Sequence, residues 1–148
     1  GEDYYRRSVY TYVKRTSPYP SMMTFDGSSR EVCVSRRIRT NTPLQALVTL
    51  NDSSFVVAAR NLATRMMKGG KNPSEQINAG YKLLLVHEMP AKKLTILNGL
   101  YEDAVKRYQA DLAASSKLTA MDKASPSLAA MTVVASALLN LDEVITKE

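Results

Sequence analysis

Residues 72–112, NPSEQINAGYKLLLVHEMPAKKLTILNGLYEDAVKRYQADL, decide the fold. Asn72-Pro73 is a helix N-cap followed by proline at the first helical position, where no N–H is missed. Glu75 stands in capping-box position behind it. Ile77, Tyr81, Leu84 and Leu85 then recur at helical spacing as an inner face. Pro90 ends this helix and opens the longest one, expected over 91–113. There Leu94, Leu97, Tyr101, Ala104, Tyr108 and Leu112 form a stripe. On its wet face Glu102 with Lys106, and Asp103 with Arg107, are spaced as i,i+4 ion pairs.

The same punctuation extends in both directions. Thr42-Pro43 starts a short helix over 43–51. Ser53 or Ser54 is the expected cap of the next, whose apolar positions Phe55, Ala59, Leu62 and Met66 repeat with helical period until Gly69-Gly70 stops it. Toward the C-terminus, residues 114–125 are small and polar and read as a loop. Ser125-Pro126 opens an apolar, buried helix over 127–140, and Leu141 to Lys147 add a last turn. The first forty residues differ: they hold five of the eight tyrosines, with Pro18 and Pro20 close together. A short helix is expected near 4–15, irregular chain over 17–41, and a short extended piece at Glu31 to Ser35. No strand pattern suggests a sheet and no repeat is visible. The expected fold is mainly α, an irregular bundle of about five helices with an N-terminal irregular arm. It forms one domain over 1–148, a Tyr/Arg-rich arm over 1–41 and a helical core over 42–148.

Bulk properties narrow the classes. A chain of 148 residues is one domain's worth. Its net charge of +6 comes mostly from residues 1–45, with eight basic against four acidic groups. Such an excess favours anionic partners, but mild basicity is common without a nucleic-acid role, and nucleic acid is not the expected partner. No run approaches the apolar length of a transmembrane helix. Gly1-Glu2-Asp3 lacks both an initiator Met and the pattern of a signal peptide, so a fragment of a longer protein is expected.

The chemistry-bearing residues concentrate in 30–51, REVCVSRRIRTNTPLQALVTLN, which holds Arg30, Arg36, Arg37, Arg39 and the sole cysteine, Cys33. These arginines lead into a helix N-terminus whose N–H groups suit sulfate, phosphate or carboxylate, while arginine forks match such oxyanions. Asn41, Thr42 and Gln45 add neutral hydrogen bonds. The competing reading, which we favour, is an internal polar clamp. The arginines then pair with Asp26, Glu31 and Asp52 and satisfy backbone carbonyls of the irregular arm. Cys33 reads either as a nucleophile assisted by His87 or, preferentially, as a small buried hydrophobe between Val32 and Val34. His87, the only histidine, reads as a residue at a helix C-terminus. His87-Glu88 would begin a zinc-protease motif, but Ala91 stands where the second His is needed. Tyr10 and Lys14 have reductase spacing without a Gly-rich dinucleotide fold. Asn51-Asp52-Ser53 has the form of a glycosylation sequon. No metal set and no cofactor motif is present.

The blocks SVYTYVKRT (8–16), SMMTFD (21–26), REVCVSRRIRTNTPLQALVTLND (30–52) and LLNLDEVITKE (138–148) closely resemble the C-terminal domain of unknown function in large planctomycete-type surface proteins. There it follows a second uncharacterised domain, often with a cytochrome c domain upstream. The resemblance implies the C-terminal end of an exported protein, periplasmic or at the cell surface, in a polysaccharide-utilisation context. The family motif maps onto Asp26, Arg30, Cys33, Arg36, Arg37, Thr40, Asn41, Thr42, Pro43, Gln45 and Asn51, with no catalytic role attached to any of them. Val13 and Met131 stand where the family often carries Trp, which weakens a sugar-stacking role.

The resulting expectation is a non-catalytic helical module, with no cofactor of its own, that packs against a preceding domain of the same polypeptide or a partner. Two alternatives stand beside it. One is a module that binds anions or sulfated glycans through the arginine group. The other is a segment completing an active site shared with the upstream domain.

Overall fold

The computed structural model describes residues 8–14, 16–28, 33, 35, 40–123 and 125–146. Among them run eight helices: α1 (Pro20–Thr24), α2 (Pro43–Asn51), α3 (Ser53–Met67), α4 (Pro73–Leu85), α5 (Ala91–Ala110), α6 (Leu112–Thr119), α7 (Pro126–Leu139) and α8 (Asp142–Ile145). No strand occurs among the described residues, where extended pairing is limited to the isolated bridge Lys14–Ser17. The fold is mainly α. The helix count exceeds five because α1, α6 and the single turn α8 are added. Two compact units divide the chain, Gly1–Val48 and Thr49–Glu148, with the division inside α2.

The second unit is built around α7. Its sequence is apolar on all sides, and Ala129, Ala130, Met131, Thr132, Val134, Ala135 and Leu138 are all buried. A helix without a polar face needs neighbours on several sides. α3 and α5 supply the largest contacts, with α4 and α6 completing the enclosure. α3 offers Ala59, Leu62, Ala63 and Met66 on one stripe, α4 offers Ile77 and Tyr81, and α5 offers Leu97. Thr132 is tolerated in this core because its hydroxyl donates to the Leu128 carbonyl of its own helix.

Several boundaries moved for identifiable reasons. α3 is capped by Asp52, whose side chain accepts from the Ser54 N–H at 2.8 Å, so the helix already begins at Ser53. Asn72 caps α4 as expected, accepting from the Glu75 N–H, but the Glu75 carboxylate reaches back to the Lys71 N–H and the Asn72 amide. α4 stops at Leu85, ahead of Pro90, because Val86 turns left-handed at φ 68°. That turn returns Met89 to the core, where its N–H donates to Asn78. His87 thus lies beyond the helix end and is exposed, its ring edge-on to Tyr81 with centroids 5.2 Å apart. α5 ends at Ala110, which leaves Leu112 exposed, and the ion pair formed on its wet face is Asp103–Lys106.

The expected loop 114–125 is the largest correction, since its first half belongs to α6. Asp111 caps α6 by accepting from the Ala114 N–H. Its small residues allow close approach to α7, burying Ser115 and Thr119. Ser125, by contrast, makes no side-chain cap for α7. α8 is fastened by Glu143, which accepts from the buried Tyr81 hydroxyl at 2.7 Å and pairs with Lys93.

α3 and α4 pack closely at Gly80, where a Cβ would stand 2.6 Å from Cγ and 2.7 Å from Sδ of the buried Met66. Alanine would gain about 1 kcal/mol of helix propensity. Overpacking a filled core costs roughly 1–3 kcal/mol. Gly80→Ala is therefore expected to lower stability in chemical denaturation, against the trend for glycine in a helix interior.

In the first unit the expected helix near 4–15 does not form over its described part. Residues Ser8–Tyr10 make one 3-10 turn. Val9, Tyr10 and Tyr12 are largely exposed, so no packing offsets the weak helix propensity of Val, Tyr and Thr. Of the extended piece expected at Glu31 to Ser35, only Cys33 and Ser35 are among the described residues.

Candidate functional site

Sequence and structure converge at the start of α2. Thr42 is its N-cap and Pro43 its first residue. The Gln45 N–H donates to the Thr42 hydroxyl at 3.3 Å, and the Thr42 N–H donates to Gln45 Oε1 at 3.0 Å. This is a capping box with glutamine in the third helical position. Gln45 is only 1% exposed. Its Nε2 donates to the Thr24 carbonyl at the end of α1 (2.9 Å) and to the Thr40 hydroxyl (3.1 Å), with Asp26 Oδ2 at 3.5 Å.

Asp26 completes the arrangement. It follows α1 in a left-handed conformation, φ 56°, which aspartate tolerates better than most residues. Its Oδ2 accepts from the Thr40 N–H at 2.7 Å, and its carboxylate also takes the Thr40 hydroxyl. Four residues of the sequence motif, Asp26, Thr40, Thr42 and Gln45, are thereby joined by hydrogen bonds within the first unit.

The electrostatics follow from the donors. The Thr40 N–H and then the Thr40 hydroxyl hold the Asp26 carboxyl below its ordinary value; burial opposes them, and the Gln45 amide adds the smallest lowering. The folded chain thus binds this proton less readily than the unfolded chain, where an aspartate titrates near about 3.9. The associated stability is present above that pH and is lost as pH falls through the lower folded value. In an acid titration followed by NMR, the Thr40 amide resonance is expected to hold its position to below about pH 4 and then move. Asp26→Asn should abolish that transition.

The remaining predicted residues are distributed as follows. Arg30, Arg36, Arg37 and Arg39 lie outside the described residues. Asn41 is exposed, and Asn51 is the exposed last residue of α2. Cys33 is exposed, which corrects its reading as a buried hydrophobe. The expected pairing of these arginines with Asp26, Glu31 and Asp52 therefore falls outside the described residues; among the described residues Thr40 and Gln45 donate to Asp26, and Ser54 donates to Asp52. Among the described residues, no three His, Cys, Asp or Glu side chains cluster as a metal would need, and no helix is long and apolar enough to cross a membrane.

Residues 1–101 match the model of a family of proteins of unknown function, DUF1553, and the chain belongs to that family. The match ends within α5, whereas the resemblance in the sequence also took in the block 138–148. No curated protein and no solved structure matches the chain.

Proposed function

We propose that this member of the DUF1553 family is a non-catalytic helical module of a larger exported protein of the planctomycete, cytochrome-c-associated type, packing against a preceding domain of the same polypeptide. The observation that carries this reading is the use made of the motif's polar groups. Asp26, Thr40, Thr42 and Gln45 spend their hydrogen bonds on one another and on the backbone of the first unit. A catalytic set keeps at least one reactive group directed at a substrate.

The same observation weakens the anion-binding alternative at the helix start. In the first turn of α2, Pro43 has no N–H, the Gln45 N–H goes to Thr42 Oγ1, and the Ala46 N–H goes to the Thr42 carbonyl. The donors that would hold an oxyanion are largely committed. The test is an assay of the purified chain, wild type and with Arg36→Ala or Cys33→Ala, for hydrolysis or oxidation of polysaccharides. No turnover in any of the three is expected, together with calorimetric binding to the separately produced upstream domain. Turnover lost in either variant would overturn the proposal. Salt-sensitive binding of sulfated oligosaccharides without domain binding would favour the anion-binding module.

A further inference from the structure

The second unit holds a cleft of about 260 Å³ between α3, α7 and the end of α6. We propose that it binds a small hydroxycarboxylate, with Arg60 taking the carboxylate and threonine hydroxyls accepting from the ligand's own O–H. This goes beyond the packing role above and uses none of its residues.

The charge comes first. Val57, Arg60 and Thr64 line the cleft from one face of α3, at the i, i+3 and i+7 spacing that aligns side chains along a helix. Arg60 is half-buried, and its Nε and Nη2 donate to the Leu118 and Lys117 carbonyls at the end of α6. Those bonds satisfy C-terminal helix carbonyls that lack intrahelical partners. They occupy the side of the guanidinium that includes Nε. The end formed by Nη1 and the second Nη2 hydrogen remains, with the fork geometry that matches a carboxylate. The ion pairs among the described residues, Lys82–Glu88, Lys93–Glu143 and Asp103–Lys106, do not include Arg60. A part-buried guanidinium in a cleft, balanced only by carbonyl dipoles, favours an anion from solution.

The hydroxyls then select among anions. Thr64, Thr119 and Thr132 come to the cleft from three different helices. Each donates its hydroxyl proton to a carbonyl of its own helix: Thr64 to Arg60, Thr119 to Ser115 and Thr132 to Leu128. Their oxygens therefore offer lone pairs and no proton. A simple anion gains nothing from acceptors, whereas a short ligand that carries both a hydroxyl and a carboxylate meets both requirements. Val57 and Leu128 add apolar wall for a short carbon chain.

The test uses the whole chain, labelled with nitrogen-15, titrated with 3-hydroxybutyrate, butyrate and 1,3-butanediol. Expected is a saturable shift of the Arg60 Nε–H and of the Thr64, Ala120 and Thr132 amides with 3-hydroxybutyrate. Butyrate should bind about tenfold more weakly, and the neutral diol should cause no shift. Arg60→Lys should weaken binding by about tenfold through loss of the fork. Since Arg60 also serves α6, a second variant guards against misfolding. Thr64→Glu, at the solvent-exposed edge of the cleft, gives Arg60 an internal carboxylate one turn away and should abolish binding without lowering Tm. The proposal is overturned if the diol binds as well as the hydroxy acid, if the hydroxy acid gives no saturable shift, or if Thr64→Glu binds like wild type.

Discussion

Leu138→Ala is expected to cost the helical bundle about 3 kcal/mol, within the range for truncating a buried leucine. Leu138 is 0% exposed and lies in the last turn of α7, inside the cluster that contains Met66, Tyr81 and Leu97. Removing its isobutyl group forfeits the transfer free energy of the lost atoms and leaves a cavity. α7 is enclosed by neighbours on several sides, so that cavity cannot be filled by a shift toward solvent. In a bundle of this size the loss corresponds to a fall in Tm on the order of 10–20 °C. Ile96→Ala is the matched control. Ile96 is 71% exposed on α5, and a surface truncation there should change stability by no more than about 0.5 kcal/mol. Similar losses in the two variants would refute the central placement of α7.

Gln45→Ala is expected to loosen the first unit by about 2 kcal/mol, as a buried polar group is removed from partners that have no replacement. Thr24 loses the donor to its carbonyl, and the Thr42 N–H loses its acceptor. Gln45→Glu separates the two roles. Glutamate is as good as glutamine in a capping box, so the Thr42 bond would survive. It has no N–H to give Thr24 or Thr40, however, and sets a second carboxylate beside Asp26. Both variants should therefore speed hydrogen exchange at the Thr40 amide, glutamate at least as much as alanine. A glutamate variant that exchanges like wild type would reduce Gln45 to a helix cap.

The helices most legible in the sequence carried their own punctuation. Asn72-Pro73 and Thr42-Pro43 fixed two starts because a proline in the first turn and a polar cap act through local backbone geometry alone. α6 was illegible for the opposite reason. LAASSKLT has no apolar periodicity, and what holds it is the fit of small side chains against α7 together with an arginine from α3 that donates to the carbonyls of its last turn. Val86 is similar: a β-branched residue at positive φ contradicts local preference, and it is the burial of Met89 that decides the turn. At the site, Thr42 and Gln45 could be named from their spacing. The pairing of Asp26 with Thr40 could not, because it depends on where α1 ends. Arg60 carries no such mark in the sequence, where it is one basic residue on an ordinary amphipathic helix.

The position of α7 in the chain bears on synthesis. The helix around which the bundle closes leaves the ribosome only after α3, α4, α5 and α6 have all been made. At roughly 5–20 residues per second, the apolar stripes of α3 and α5 wait several seconds for the surface that will cover them. Closure of the second unit is thus deferred until α7 has emerged. A nascent chain halted before Pro126 should remain open to proteases and chaperones, and one released after Leu139 should become resistant.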